Sequence, residues 1–168
     1  MQVIEVRPVS GAVEERVIGV VVADDDPGFT DAVVDVLRAD PRFSVVGTAA
    51  TGEDLVDLVA ESDPDVVLLD VHMPRGGPAA ARALTRTGRG PVVVALSAQT
   101  GATHVLAMLR AGALGYLVKG RIGHDLPDVL VRCARGDVVL AVPGAAEAMR
   151  QLSGSTAPRS SAAATPGT

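Results

Sequence analysis

Five short apolar runs separated by helical stripes constrain this chain more than any other feature of its sequence. Val17 to Ala23, Val66 to Leu69, Val92 to Leu96 and Gly115 to Val118 are nearly continuous and mostly Val-rich, and Phe43 to Ala49 is a more mixed fifth. Runs of this length without alternation mark strands buried on both faces of a parallel sheet. The intervening segments follow the i, i+3, i+4 spacing of amphipathic helices: Phe29, Ala32, Val33, Val36 and Leu37 first, then Leu55, Leu58 and Val59, later Val105, Leu106 and Leu109, and last Leu126, Val129, Leu130 and Cys133. A less distinct Ala-rich helix is expected near Ala79 to Thr87. The alternation predicts an α/β domain over residues 16–136, a doubly wound five-stranded parallel sheet with helices on both faces. Residues 1–15 read as a leader and 137–152 as a linker with a short helix from Pro143 to Leu152. Residues 153–168 carry one charge among Ser, Thr, Ala, Pro and Gly, so they are expected to be disordered.

Composition narrows the functional classes. With 48% hydrophobic and 2% aromatic residues among 168, the core must be aliphatic. A lone cysteine, Cys133, cannot form an internal disulfide, which suits a reducing cytoplasm. No apolar run approaches the ~20 residues of a membrane span, so no membrane partner is expected. The net charge of -5 conceals an asymmetry, since 16 of 20 acids lie in residues 1–70 and 11 of 15 bases follow them. No basic cluster forms a nucleic-acid footprint. Fourteen arginines accompany a single lysine, Lys119, and arginine fills every ordinary basic role.

Ligands of open α/β sheets bind at the carboxyl ends of the strands. There the first run leads into Asp24, Asp25 and Asp26, the third ends in Asp70, the fourth in Ser97 and the fifth in Lys119. The second run delivers no such group, as expected if it lies outermost in a flavodoxin-like strand order, 2-1-3-4-5. Two carboxylates ~5 Å apart repel by about 3 kcal/mol at an effective dielectric of ~20. Asp24, Asp25 and Asp70 together therefore require a proton, a lysine or a divalent cation, and all-oxygen ligands favour Mg²⁺. A cation beside a free carboxylate, an ammonium and a hydroxyl suits phosphoryl transfer, with Asp70, Lys119 and Ser97 filling the last three roles.

The segments Val22 to Pro27, Pro64 to Pro74, Ala95 to Ala98 and Ala111 to Gly120 resemble the response-regulator receiver domain of bacterial two-component systems, and Gly136 to Leu152 resembles the linker that follows it in NarL-type transcription factors. The resemblance implies that Asp70 is the phosphoacceptor, that Asp24 and Asp25 hold Mg²⁺, and that the backbone carbonyl of His72 completes the metal shell. Ser97 is then the switch hydroxyl, Lys119 the phosphate-sensing amine and Tyr116 the rotating aromatic, while His72 and Gln99 border the site and set the dephosphorylation rate. A sensor histidine kinase or phosphotransfer protein is the implied phosphodonor. A homodimer through the fourth helix, fifth strand and fifth helix is the implied assembly, the location is cytoplasmic, and the only chemistry is the domain's own phosphorylation and dephosphorylation. Three positions depart from the family pattern: Ser97 where threonine is commoner, Gly120 where many relatives carry proline, and Pro78 where glycine is customary. No helix-turn-helix follows the linker, so DNA binding is not assigned to this chain.

Three competing readings stand beside this one. A degenerate receiver would dock partners without phosphorylation. Asp70-Val-His72 resembles the start of the Asp-x-His-x-x-Gly motif of cobalamin-binding flavodoxin-like domains, but Arg75 stands at the required glycine. A haloacid-dehalogenase-type phosphatase would want a second aspartate where His72 stands.

Overall fold

The computed structural model describes residues 4–6, 16–123 and 125–154. Its strands are β1 (Ile4–Val6), β2 (Ile18–Ala23), β3 (Phe43–Ala49), β4 (Val66–Asp70), β5 (Val92–Ser97), β6 (Gly115–Val118) and β7 (Val138–Ala141). The helices are α1 (Pro27–Arg38), α2 (Gly52–Ser62), α3 (Gly77–Thr85), α4 (Ala102–Arg110), α5 (Leu126–Ala134) and α6 (Ala145–Gly154). Each starts where its sequence permits. Asp26 caps α1 by accepting from the Gly28 and Phe29 N–H groups, with Pro27 at the first helical position, where no N–H is needed. Thr51 caps α2 by accepting from Asp54 N–H.

The strands form one sheet in the order β1-β7-β6-β5-β4-β2-β3, parallel except for the antiparallel β1–β7 pair. Its inner portion, β3-β2-β4-β5-β6, has the expected flavodoxin-like order. The expected count of five strands is corrected to seven. β7 lies within the stretch read as linker; it has four residues, and only Val139 and Leu140 are buried. β1, with three residues, lies within the expected leader and is a strand only through its pairing with β7. The three residues of β1 carry no periodicity to read, whereas β7 lies in the apolar run Val138 to Val142. Of the expected tail, Ser153 and Gly154 instead close α6, and residues 155–168 lie outside the described residues.

Alternation along each strand divides the core in two. Val21, Ala23, Val67, Leu69, Val93 and Ala95 face α2, α3, α4 and α6, whereas Val20, Val22, Val66, Leu68, Val94 and Leu96 face α1 and α5. All twelve are fully buried, as the unbroken valine runs require. The outer edge of β6 is paired with β7, and α6 packs on α4. The chain's own C-terminal elements thus cover part of the surface expected for self-association. No described helix is long and apolar enough to cross a membrane.

Candidate functional site

Parallel strands deliver their last residues to one edge of the sheet, and there the four remote acidic, hydroxyl and amine segments meet. Asp24 and Asp25 follow β2, Asp70 closes β4, Ser97 closes β5, and Lys119 opens a 3₁₀ turn after β6. Lys119 Nζ lies 2.6 Å from Asp24 Oδ2 and 3.1 Å from Asp70 Oδ2. Carboxylate oxygens of Asp24, Asp25 and Asp70 come within 4.8 Å of one another. Asp24 and Asp70 are buried, at 3% and 4% exposure, while Asp25 opens to solvent.

The three acids are held differently. Asp24 Oδ1 accepts the Asp26 N–H at 2.9 Å and Oδ2 faces the ammonium, so both of its oxygens are engaged. Asp70 Oδ1 accepts the His72 N–H at 3.1 Å. No intramolecular polar contact fixes Asp25 among the described residues. Burial works against the charge on Lys119, but the hydrogen bonds and charges of Asp24 and Asp70 outweigh it and hold its pKa above the ordinary lysine value. The ammonium also lies 4.7 Å from the centre of the Phe29 ring, a cation–π contact at the start of α1.

These residues fit a divalent cation. Three carboxylates face one ammonium, which leaves an excess of negative charge in a partly dehydrated place. The donors are all hard oxygens, the chemistry that Mg²⁺ selects, and the exposed position of Asp25 leaves room for the waters it keeps.

The remaining expected residues are close by. Ser97 is fully buried, and its Oγ accepts the Gln99 N–H at 2.9 Å. Tyr116 is also fully buried, and its hydroxyl donates to the Gln99 carbonyl at 2.9 Å. Burial raises the pKa of that hydroxyl, and its hydrogen bond with Ser97 offsets part of the rise. The tyrosine ring thus lies inside the fold, beneath the β5–α4 loop. The Gln99 side chain is exposed, and so is His72, whose ring meets His104 edge-on with centroids 6.0 Å apart.

Two contributors escaped the sequence reading. Gly52 N–H donates to the Pro74 carbonyl at 2.9 Å, and a Cβ at Gly52 would lie 1.7 Å from the Arg75 carbonyl oxygen. The loop after Asp70 therefore rests directly on the first turn of α2, and Arg75 takes a left-handed φ of 54° beside it. Pro78, the departure in this loop, lies at the start of α3, where proline is tolerated. Phe29 is the other; the sequence places it on the apolar stripe of the first helix, and nothing there sets it apart as a neighbour of Lys119.

Comparison with known proteins agrees with this geometry. Residues 20–130 match the response regulator receiver domain family. The chain is 34% identical over 131 residues to the uncharacterized transcriptional regulatory protein YxjL of Bacillus subtilis, covering 77% of this chain and 60% of that protein. It is 35% identical over 145 residues to the transcriptional regulatory protein NarL of Mycobacterium tuberculosis, covering 84% of this chain and 67% of the relative. It spans 53% of a third relative, the transcriptional regulatory protein DegU of Brevibacillus brevis. Among solved structures, the signal receiver domain of the Mycobacterium tuberculosis NarL superposes with a TM-score of 0.68 at 34% identity, covering 72% of this chain and 98% of that one. The response regulator domain of Thermotoga maritima CheB gives 0.62 at 28% identity, covering 70% and 94%. By sequence and by fold, the chain belongs to the response regulator receiver domain family.

Proposed function

We propose that this domain is a phospho-accepting switch, modified on Asp70 by a histidine kinase or phosphotransfer protein. The supporting observation is the convergence of Asp24, Asp25, Asp70 and Lys119 at one strand edge, with Lys119 bridging the two buried acids. An Asp70 carboxylate oxygen attacks phosphorus; the new O–P bond forms as the P–N bond to the donor imidazole breaks, and the imidazole leaves with a proton. Lys119 takes one phosphoryl oxygen and Ser97 donates to another. Asp25, Asp70 and the His72 carbonyl would hold Mg²⁺, with Asp24 acting through water, and the cation would supply neutralising charge to the phosphoryl group. The engagement of both Asp24 oxygens supports the indirect role for that acid.

Ser97 Oγ accepts the Gln99 N–H, so donation from Ser97 to the phosphoryl group couples the loop after β5 to the state of Asp70. Tyr116 follows that loop through the Gln99 carbonyl. The test is incubation with a small-molecule acyl phosphate, read by intact mass. The wild type gains one phosphoryl group with Mg²⁺ and none with EDTA, and Asp70→Asn gains none. Equal labelling of Asp70→Asn overturns the assignment. Replacing both His72 and Gln99 alters the acyl-phosphate lifetime if they set the dephosphorylation rate; an unchanged lifetime removes them from that role.

A further inference from the structure

We infer that the switch signal leaves this domain through its own C-terminal extension: the Pro143–Gly144 turn senses the β5–α4 loop, and α6 undocks when Asp70 carries a phosphoryl group. The inference rests on the phospho-acceptor reading and adds an output route to it.

Three contacts carry the argument. A Cβ built on Gly144 would lie 2.6 Å from the Thr100 carbonyl oxygen, 2.7 Å from the Ala102 nitrogen and 3.0 Å from its Cα. The turn after β7 is thus pressed backbone to backbone against the end of the β5–α4 loop. Ala98 to Gly101 are otherwise exposed. Two interior anchors hold that loop, the Ser97 hydroxyl at the Gln99 N–H and the Tyr116 hydroxyl at the Gln99 carbonyl. Tyr116 pairs in register with Leu140 of β7, so the side chain that grips the loop sits on the strand next to the one leading into the turn.

Beyond the turn the chain is stiff. The Ala145 N–H donates to the Val142 carbonyl and the Ala148 N–H to the Gly144 carbonyl, so α6 is hydrogen-bonded to the turn at its first residues. Val142, Ala145 and Ala148 are buried in the same core cluster as Val105, Met108 and Tyr116, with Met149 and Leu152 packed at its margin. Arg150 and Gln151 both donate to the Glu147 carboxylate on the exposed side. Displacing Gly144 therefore carries the whole helix with it. A phosphoryl group on Asp70 that recruits Ser97 draws the loop toward the acidic edge, opens the Gly144 contact and weakens the docking of α6 on α4.

Amide hydrogen exchange of the full chain tests this, with beryllofluoride and Mg²⁺ as the phosphoryl mimic. Exchange of the α6 amides is expected to rise about fivefold or more, the lower end of ordinary coupling between sites, and Asp70→Asn is expected to show no rise. Gly144→Ala, which forces the turn off the loop, should raise α6 exchange without ligand and, by reciprocity, tighten beryllofluoride binding by a similar factor. If that variant fails to fold, the wild-type measurement stands alone. Beryllofluoride binding with unchanged or slower α6 exchange overturns the inference and leaves the phospho-acceptor reading intact. Failure to bind beryllofluoride at all overturns both.

Discussion

Lys119 is the counter-charge to two buried acids. It is the ammonium shared by Asp24 and Asp70, so removing it leaves the two carboxylates facing each other without compensation. Lys119→Met is expected to destabilise the domain by about 1 to 3 kcal/mol in urea denaturation with EDTA, and saturating Mg²⁺ should recover part of the loss. Its raised pKa fixes the sign of the pH dependence. The contribution is complete below the ordinary lysine value of 10.5 and fades only as pH climbs through the higher folded value. The difference between wild type and variant should therefore be flat across neutral pH; a difference that disappears at neutral pH contradicts the pairing. Cys133 is a contrast. Burial pushes its thiol up to about 12, so it should resist iodoacetamide at neutral pH until the chain is unfolded. Asp24, Asp25, Asp70, Ser97 and Lys119 were legible in the sequence because each sits at or just past a strand end, where chain position alone fixes the edge. The inward seat of Tyr116 was not, because a rotamer beneath a loop leaves no pattern in the chain.

Elements show where that legibility stops. The short apolar runs and the amphipathic helices announce themselves by pattern, and the inner sheet follows from them. β7 has the same signal, since Val138 to Val142 is an apolar run like the others, but the resemblance of Gly136 to Leu152 to a linker sets it outside the domain. The two readings predict different energetics. Leu140 is fully buried between β6 and β1, so Leu140→Ala should cost about 2 to 5 kcal/mol, whereas a substitution in an exposed linker stays within about 0.5 kcal/mol. Urea midpoints decide between them. The α2 start is a similar case: Gly52 lay outside any motif because its partner is the Asp70 loop, far away in the chain. Gly52→Ala should displace that loop and the His72 carbonyl with it, lowering Mg²⁺ affinity at least about tenfold, the equivalent of about 1.4 kcal/mol. Unchanged Mg²⁺ binding by calorimetry would show that the loop does not depend on its seat on α2.

Across the whole molecule, a parallel sheet brings sequence-remote strand ends to one edge between two core layers, while the loop after β5 stays exposed. The extension through β7 and α6 leans on the same loop, so the acidic edge and the packing at one flank meet at the segment after β5. All of this depends on Asp70 being the group that becomes an acyl phosphate. Borohydride reduction of the labelled protein, which converts an aspartyl phosphate to homoserine, followed by peptide sequencing, locates that group directly. Homoserine at position 70 in the Mg²⁺ sample, and none in EDTA, is the predicted result; homoserine at position 24 or 25, or labelling indifferent to Mg²⁺, contradicts it.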